Sequence, residues 1–83
     1  MNNLDTMNNL IDRITIDPDV CNGKPVIRGK RIAVQTILEF LSSGDTRAEI
    51  LEEYPSLEIE DINACLAYAS EVMNRKYVVQ TIA

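Results

Sequence analysis

Residues Gly23–Val34 read GKPVIRGKRIAV. This stretch holds two of the three glycines, one of the three prolines and four of the eight basic residues, Lys24, Arg28, Lys30 and Arg31. No acidic residue interrupts it, although the whole chain carries a net charge of −5. Pro25–Ile27 has the look of a short strand, and Lys30–Ile32 of its return. Arg28-Gly29 then falls at the centre of a tight turn, where Gly29 takes positive φ at low cost. Alternation sets Val26 or Ile27, with Ile32, against the body and sends the basic side chains outward. Two uses fit such an element. It is a solvated cover for one end of a helical core, or a basic finger for a phosphate backbone or an acidic partner surface.

Working back toward the N-terminus, Arg13–Asp17, RITID, alternates polar and β-branched residues, a short strand pattern that Pro18 stops. Asp17 and Asp19 are turn formers, and Asn22-Gly23 is a strong turn pair. Residues 1–12 are Asn-rich and read as a flexible leader, with Leu4, Met7, Leu10 and Ile11 at helix-like spacing.

Working forward, Val34, Ile37, Leu38 and Leu41 follow i, i+3, i+4, i+7, which predicts a helix over 34–43. Gly44 stands where a helix C-cap glycine belongs. Thr46 to Glu49, TRAE, predicts a capping box opening a second helix with Ile50, Leu51 and Tyr54 inward, ended by Pro55. The third helix is expected over about Ile59 to Lys76, roughly 27 Å long. Ile59, Ile62, Leu66, Ala69 and Met73 form one apolar stripe on it, and Cys65, Tyr68 and Val72 a second. Two short helices do not cover both. The second stripe is therefore expected to meet another subunit or a partner protein. The tail, YVVQTI, is rich in β-branched residues and reads as a strand in need of an edge, with Tyr77 and Val79 joining that partner face, or as an unpaired tail.

Eighty-three residues make one domain, here 13–76, between the leader 1–12 and the tail 77–83. There is no histidine, and the two cysteines, Cys21 and Cys65, lack Cys-x-x-Cys spacing, so neither a metal nor a disulfide is expected. No apolar run approaches the roughly 18 residues of a membrane span, and no secretory signal opens the chain, so a cytoplasmic protein is expected. Catalysis finds little support. Ser42, Ser43 and Ser56 have no base beside them, and Cys21, near Lys24 and Arg28, reads first as an incidental thiol. Neither an enzyme nor a cofactor is expected. The fold class is mostly α: a small N-terminal β-hairpin element plus a three-helix bundle of homeodomain-like, helix-turn-helix type, with a short C-terminal strand as one reading of the tail. Glu58, Glu60 and Asp61 stand at the start of what would be the recognition helix. Carboxylates there repel phosphates and suit the positive end of a helix dipole. If DNA is bound, the basic segment is the better contact.

ITIDP, GKPVIRGKRIAV, an apolar helix ending in SSGD, EILEEYPSL and EDINACLAYA together resemble the domain-of-unknown-function family four-hundred-thirty-three, over roughly Arg13 to Ala69. The resemblance implies a hairpin joined to a homeodomain-like bundle, commonly dimeric. It places Arg28, Gly29, Arg31, Gly44, Tyr54 and Pro55 at signature positions. It also implies the antitoxin of a toxin–antitoxin pair, encoded beside a PIN-like ribonuclease. Glu58 departs from the Ser or Thr cap of the pattern, which implies a weaker start to the third helix. Three functions follow. An antitoxin would neutralise such a ribonuclease by protein contact and autoregulate on DNA. A dimeric DNA-binding regulator would work without a toxin. A structural module would use the hairpin only to pair subunits, with Gly23, Pro25, Gly29, Gly44, Thr46, Glu49, Tyr54 and Pro55 shaping the fold.

Overall fold

The chain, in a computed structural model that describes residues 8–76, orders its elements as two strands followed by three helices. The strands are β1 (Ile14–Ile16) and β2 (Pro25–Ile27), and the helices are α1 (Val34–Ser42), α2 (Arg47–Glu53) and α3 (Ile59–Lys76). Residues 8–11 close a helical turn before β1, inside the segment read as leader. The tail 77–83, with Tyr77 and Val79, lies outside the described residues.

β1 and β2 pair antiparallel, with Ile14 opposite Ile27, Thr15 opposite Val26 and Ile16 opposite Pro25. The connecting loop begins with an Asx turn, in which the Asp19 amide donates to Asp17 Oδ1 at 2.9 Å. It ends in a left-handed turn, with φ of 50° at Cys21, 59° at Asn22 and 77° at Gly23. Asn and Gly tolerate that region; for Cys21 it is a strained conformation.

The expected third strand over Lys30–Ile32 does not form. The chain turns through Ile27–Lys30, where the Lys30 amide donates to the Ile27 carbonyl at 2.9 Å and Gly29 takes φ +79°. It then makes only one bridge, Ala33 to Val26. Ala33 is already the N-cap of α1, so no length remains for a strand. The hairpin is β1–β2, and the basic segment is its outgoing turn.

Helix boundaries follow local chemistry. After α1, Gly44 takes φ +98°. Its amide donates to Leu41 O at 3.1 Å, and the Asp45 amide to Phe40 O at 3.0 Å, a Schellman closure. The capping box before α2 is complete: Glu49 N donates to Thr46 Oγ1 at 3.1 Å, and Thr46 N to Glu49 Oε1 at 2.8 Å. Pro55 forces Tyr54 out of helical geometry, to φ −125° and ψ 79°, and α2 stops.

The core lies where the hairpin meets the bundle. Ile27, Val34, Ile37, Ile50, Leu57, Ile62 and Cys65 form one buried cluster, with Ile14, Ile32, Leu38 and Leu51 packed at its edge. Each fully buried aliphatic side chain contributes roughly 1.5–3 kcal/mol. Phe40 and Tyr54 meet edge to face at 6.0 Å between ring centres, holding α1 to the end of α2. β2 is covered on both faces, because Val26 and Ile27 are both buried.

Cys65 needs a correction. Its spacing with Tyr68 and Val72 puts it on an outward stripe, but its side chain is 0% exposed and belongs to the core. The exposed large apolar residues of α3 are instead Ile59, Leu66 and Met73, from the other stripe. Cys65 is buried in one cluster with Val34 and Ile37 of α1, and Ile62, from the first stripe, is buried beside it.

Candidate functional site

The four basic residues of the central stretch do not converge. Arg28 and Arg31 are exposed on the turn after β2, and Lys30 is half-buried between them. Arg28 and Lys30 line a polar cleft of about 680 Å³ together with Arg13, Asp12, Ser56, Glu58 and Asp61. Lys30 and Arg31 border a smaller recess with Thr15 and Asp17. Lys24 lies elsewhere, with its Nζ 3.5 Å from Gln35 Oε1 on α1. Among the described residues, none of the four makes an ion pair. Within that part of the chain their charge is uncommitted and is offered to solvent or a ligand.

The floor of the cleft is a cluster that no sequence pattern announces. Arg13 Nη1 donates to Glu58 Oε1 at 2.8 Å and to Asp61 Oδ1 at 3.0 Å. The second oxygen of Asp61 accepts from the Glu58 amide at 2.8 Å. Asp61 thus caps α3 from within, and the missing Ser or Thr at Glu58 is made good from the third helical position. The two carboxylate bonds hold the Arg13 guanidinium protonated beyond its ordinary range. Asp61 is buried and paired, so of the three acids at this helix start only Glu58 and Glu60 face solvent. Arg13 lies 45 and 48 residues from its partners, a separation no local pattern reveals.

On the other side of the hairpin an apolar groove of about 420 Å³ runs between α1 and the C-terminal half of α3. Val34, Leu38, Tyr68, Val72 and Met73 supply its walls, and Lys24 stands at its rim. Tyr68 and Val72, expected on a partner face, are half-buried here and open to the groove. Met73 carries the groove over to the exposed positions Leu66 and Ile59.

Cys65 lacks the setting of a nucleophile. Burial, aided by the nearby Asp61 charge, pushes the Cys65 thiol up to about 12. Cys21 is half-buried in the left-handed turn. No helix among the described residues is long and apolar enough to cross a membrane.

Comparison with known proteins gives the same outline. A protein of Sinorhizobium fredii (strain NBRC 101917 / NGR234), named only as the uncharacterized protein y4eO, is 36% identical over 56 residues. The match takes in 68% of this chain and 25% of that relative, so the chain spans about a quarter of its length. The crystal structure of a DUF433 member from Anabaena variabilis ATCC 29413 superposes with a TM-score of 0.71 at 33% identity. It covers 88% of this chain and 72% of that one. The family model described as a protein of unknown function (DUF433) matches residues 14–69, from the first strand through the middle of α3. The chain therefore belongs to the DUF433 family.

Proposed function

We propose that this protein is the antitoxin of a toxin–antitoxin pair, acting by protein–protein contact on a PIN-like ribonuclease. The observation that carries the reading is the run of exposed carboxylates on α2 and the start of α3: Glu49, Glu52, Glu53, Glu58 and Glu60. Glu52, Glu53 and Glu60 have no ion-pair partner among the described residues. In a trihelical DNA reader this helix pair faces phosphates. Here it presents their charge, which suits it to the basic channel of a nuclease. The test is expression of the ribonuclease-like product of the neighbouring reading frame, alone and together with this protein. Growth arrest by the former and rescue by the latter are expected, and a Glu52→Lys, Glu53→Lys, Glu60→Lys variant that folds normally should lose the rescue. A neighbouring frame unrelated to nucleases, or undiminished rescue by that variant, overturns the reading.

A second contact, with operator DNA, is favoured by Arg28, Lys30 and Arg31, three cations on one turn with no ion pair among the described residues. It predicts a mobility shift on the upstream DNA that weakens steeply with salt and disappears in Arg28→Glu with Arg31→Glu. A shift that survives the double substitution removes the turn as the contact.

A further inference from the structure

We propose that the apolar groove between α1 and α3 is the seat of the chain's own residues 77–83. Its walls are Val34 and Leu38 of α1 and Tyr68, Ala69, Val72 and Met73 of α3. The described residues leave this surface open, and a continuous apolar hollow on so small a domain marks a place where something docks. None of the wall residues is charged, and Lys24 stands only at the rim. Residues 77–83 read YVVQTIA and carry no charge either, in a sequence of which 25% is charged. Tyr77, Val78, Val79 and Ile82 give them four large apolar side chains.

Position and reach single out this segment as the occupant. It begins where α3 stops, at Lys76, and the last turns of α3 wall the groove. From Lys76 back to Met73 is three residues and back to Tyr68 is eight, about 4.5 to 12 Å along the helix axis. With two residues taken by the reversal of the chain, the remaining five reach about 16 Å at roughly 3.3 Å each. That covers the whole α3 wall. The paired valines, stiff at χ1, favour leaving the helix over continuing it. A tether this short holds the segment beside the groove at an effective concentration on the order of millimolar, which any free partner has to exceed. A second copy is a poorer fit, because a two-fold axis sets the same patch on both sides and brings hollow to hollow. A partner that uses the groove must first displace residues 77–83, which makes the segment an intramolecular competitor. The assignment holds whether or not the acidic helices bind a ribonuclease.

The test is thiol accessibility in the full chain. Leu38→Cys places a reporter in the groove on a Cys21→Ser background, while Cys65 stays closed in the core. Labelling by a water-soluble disulfide reagent is timed with residues 77–83 natural and with Val78→Asp, Val79→Asp and Ile82→Asp together, which charges both faces of an extended segment. The charged variant is expected to label about tenfold faster, the factor given by a segment docked roughly nine-tenths of the time. The ratio should not depend on protein concentration, and far-ultraviolet circular dichroism should be unchanged. Ala69→Cys, on the facing wall, repeats the comparison with a smaller change of volume. Equal rates at both positions would show a groove open in the isolated protein and overturn the proposal. Protection that appears only as concentration rises would assign the groove to a second copy and overturn it too. Ser70→Cys, exposed and outside the groove, should label equally in both chains; acceleration there as large as at Leu38→Cys would mean general loosening and refute the docking.

Discussion

Raising the pH should reverse the stability order of this protein and its Cys65→Ala variant. In the folded chain burial, together with the Asp61 carboxylate, moves the Cys65 thiol from an ordinary value of 9.0 to about 12. A folded pKa above the unfolded one means that the folded state holds its proton longer. The contribution is fully present below about pH 9 and is lost as pH rises toward 12. Each tenfold difference in proton affinity between the two states corresponds to about 1.36 kcal/mol. The differential loss is therefore about 1 kcal/mol at pH 10 and about 3 kcal/mol at pH 11. Against this, Cys65→Ala removes a sulfur from a fully buried site beside Ile37 and Ile62 and costs about 1 kcal/mol at neutral pH. The two effects cancel near pH 10, and the variant is the more stable protein above it. Urea unfolding of both chains, followed by far-ultraviolet circular dichroism at steps between pH 7 and 11, measures the difference directly. Tyrosine and lysine titration, common to both chains, drops out of it. A stability difference that stays flat or grows in favour of the natural sequence would refute the assignment of Cys65 to a closed core.

Other perturbations probe the joints of the fold. In double-mutant cycles by thermal melting, Arg13 should couple more strongly to Asp61 than to Glu58, although Glu58 is the nearer at 2.8 Å against 3.0 Å. Burial of Asp61 decides the order, and only its coupling should survive 1 M salt. Gly29→Val should cost about 1–2 kcal/mol through its φ of +79° alone, because a Cβ there meets nothing within 4 Å; Gly29→Asn should cost less than half as much. Thr46→Ala should cost about 1 kcal/mol in chemical denaturation, and adding Glu49→Ala should cost little more, because the capping box is already broken.

Signals that act over one or two turns are legible in the sequence. Gly44, Thr46 with Glu49, and Pro55 each satisfy or block backbone groups next to themselves, and the end of α1 and both ends of α2 fall where they indicate. The span of α3 and the place of β2 follow from periodicity in the same way. What escapes depends on neighbours distant in the chain. Lys30–Ile32 has strand character, but Ala33 caps α1 one residue later and ends the pairing. The two stripes of α3 do not divide inside from outside: Ile62 of one and Cys65 of the other are both buried in the cluster with Val34 and Ile37, a choice only the packed bundle makes. Arg13 reads as the edge of a strand until the fold brings Glu58 and Asp61 to it. The four basic residues of the central stretch look like one patch in one dimension, and the fold divides them among the cleft, the smaller recess and the groove.

The bond from Arg13 to Asp61 also bears on the order in which the molecule assembles. α1, α2 and α3 follow one another through short links, so their mutual contacts close small loops and form early. β1 reaches α3 only by closing 48 residues of chain, the slowest kind of contact in a domain of this size. The strand pair is therefore the last unit to dock and the first to open, a foldon of lower protection than the helices it covers. Hydrogen exchange should find Val26 and Ile27 amides opening before those of Ile62 or Cys65. The turn that bears Arg28 and Arg31 rides on that late unit, and a ligand held there would be read out as slower opening of the hairpin with the bundle unchanged.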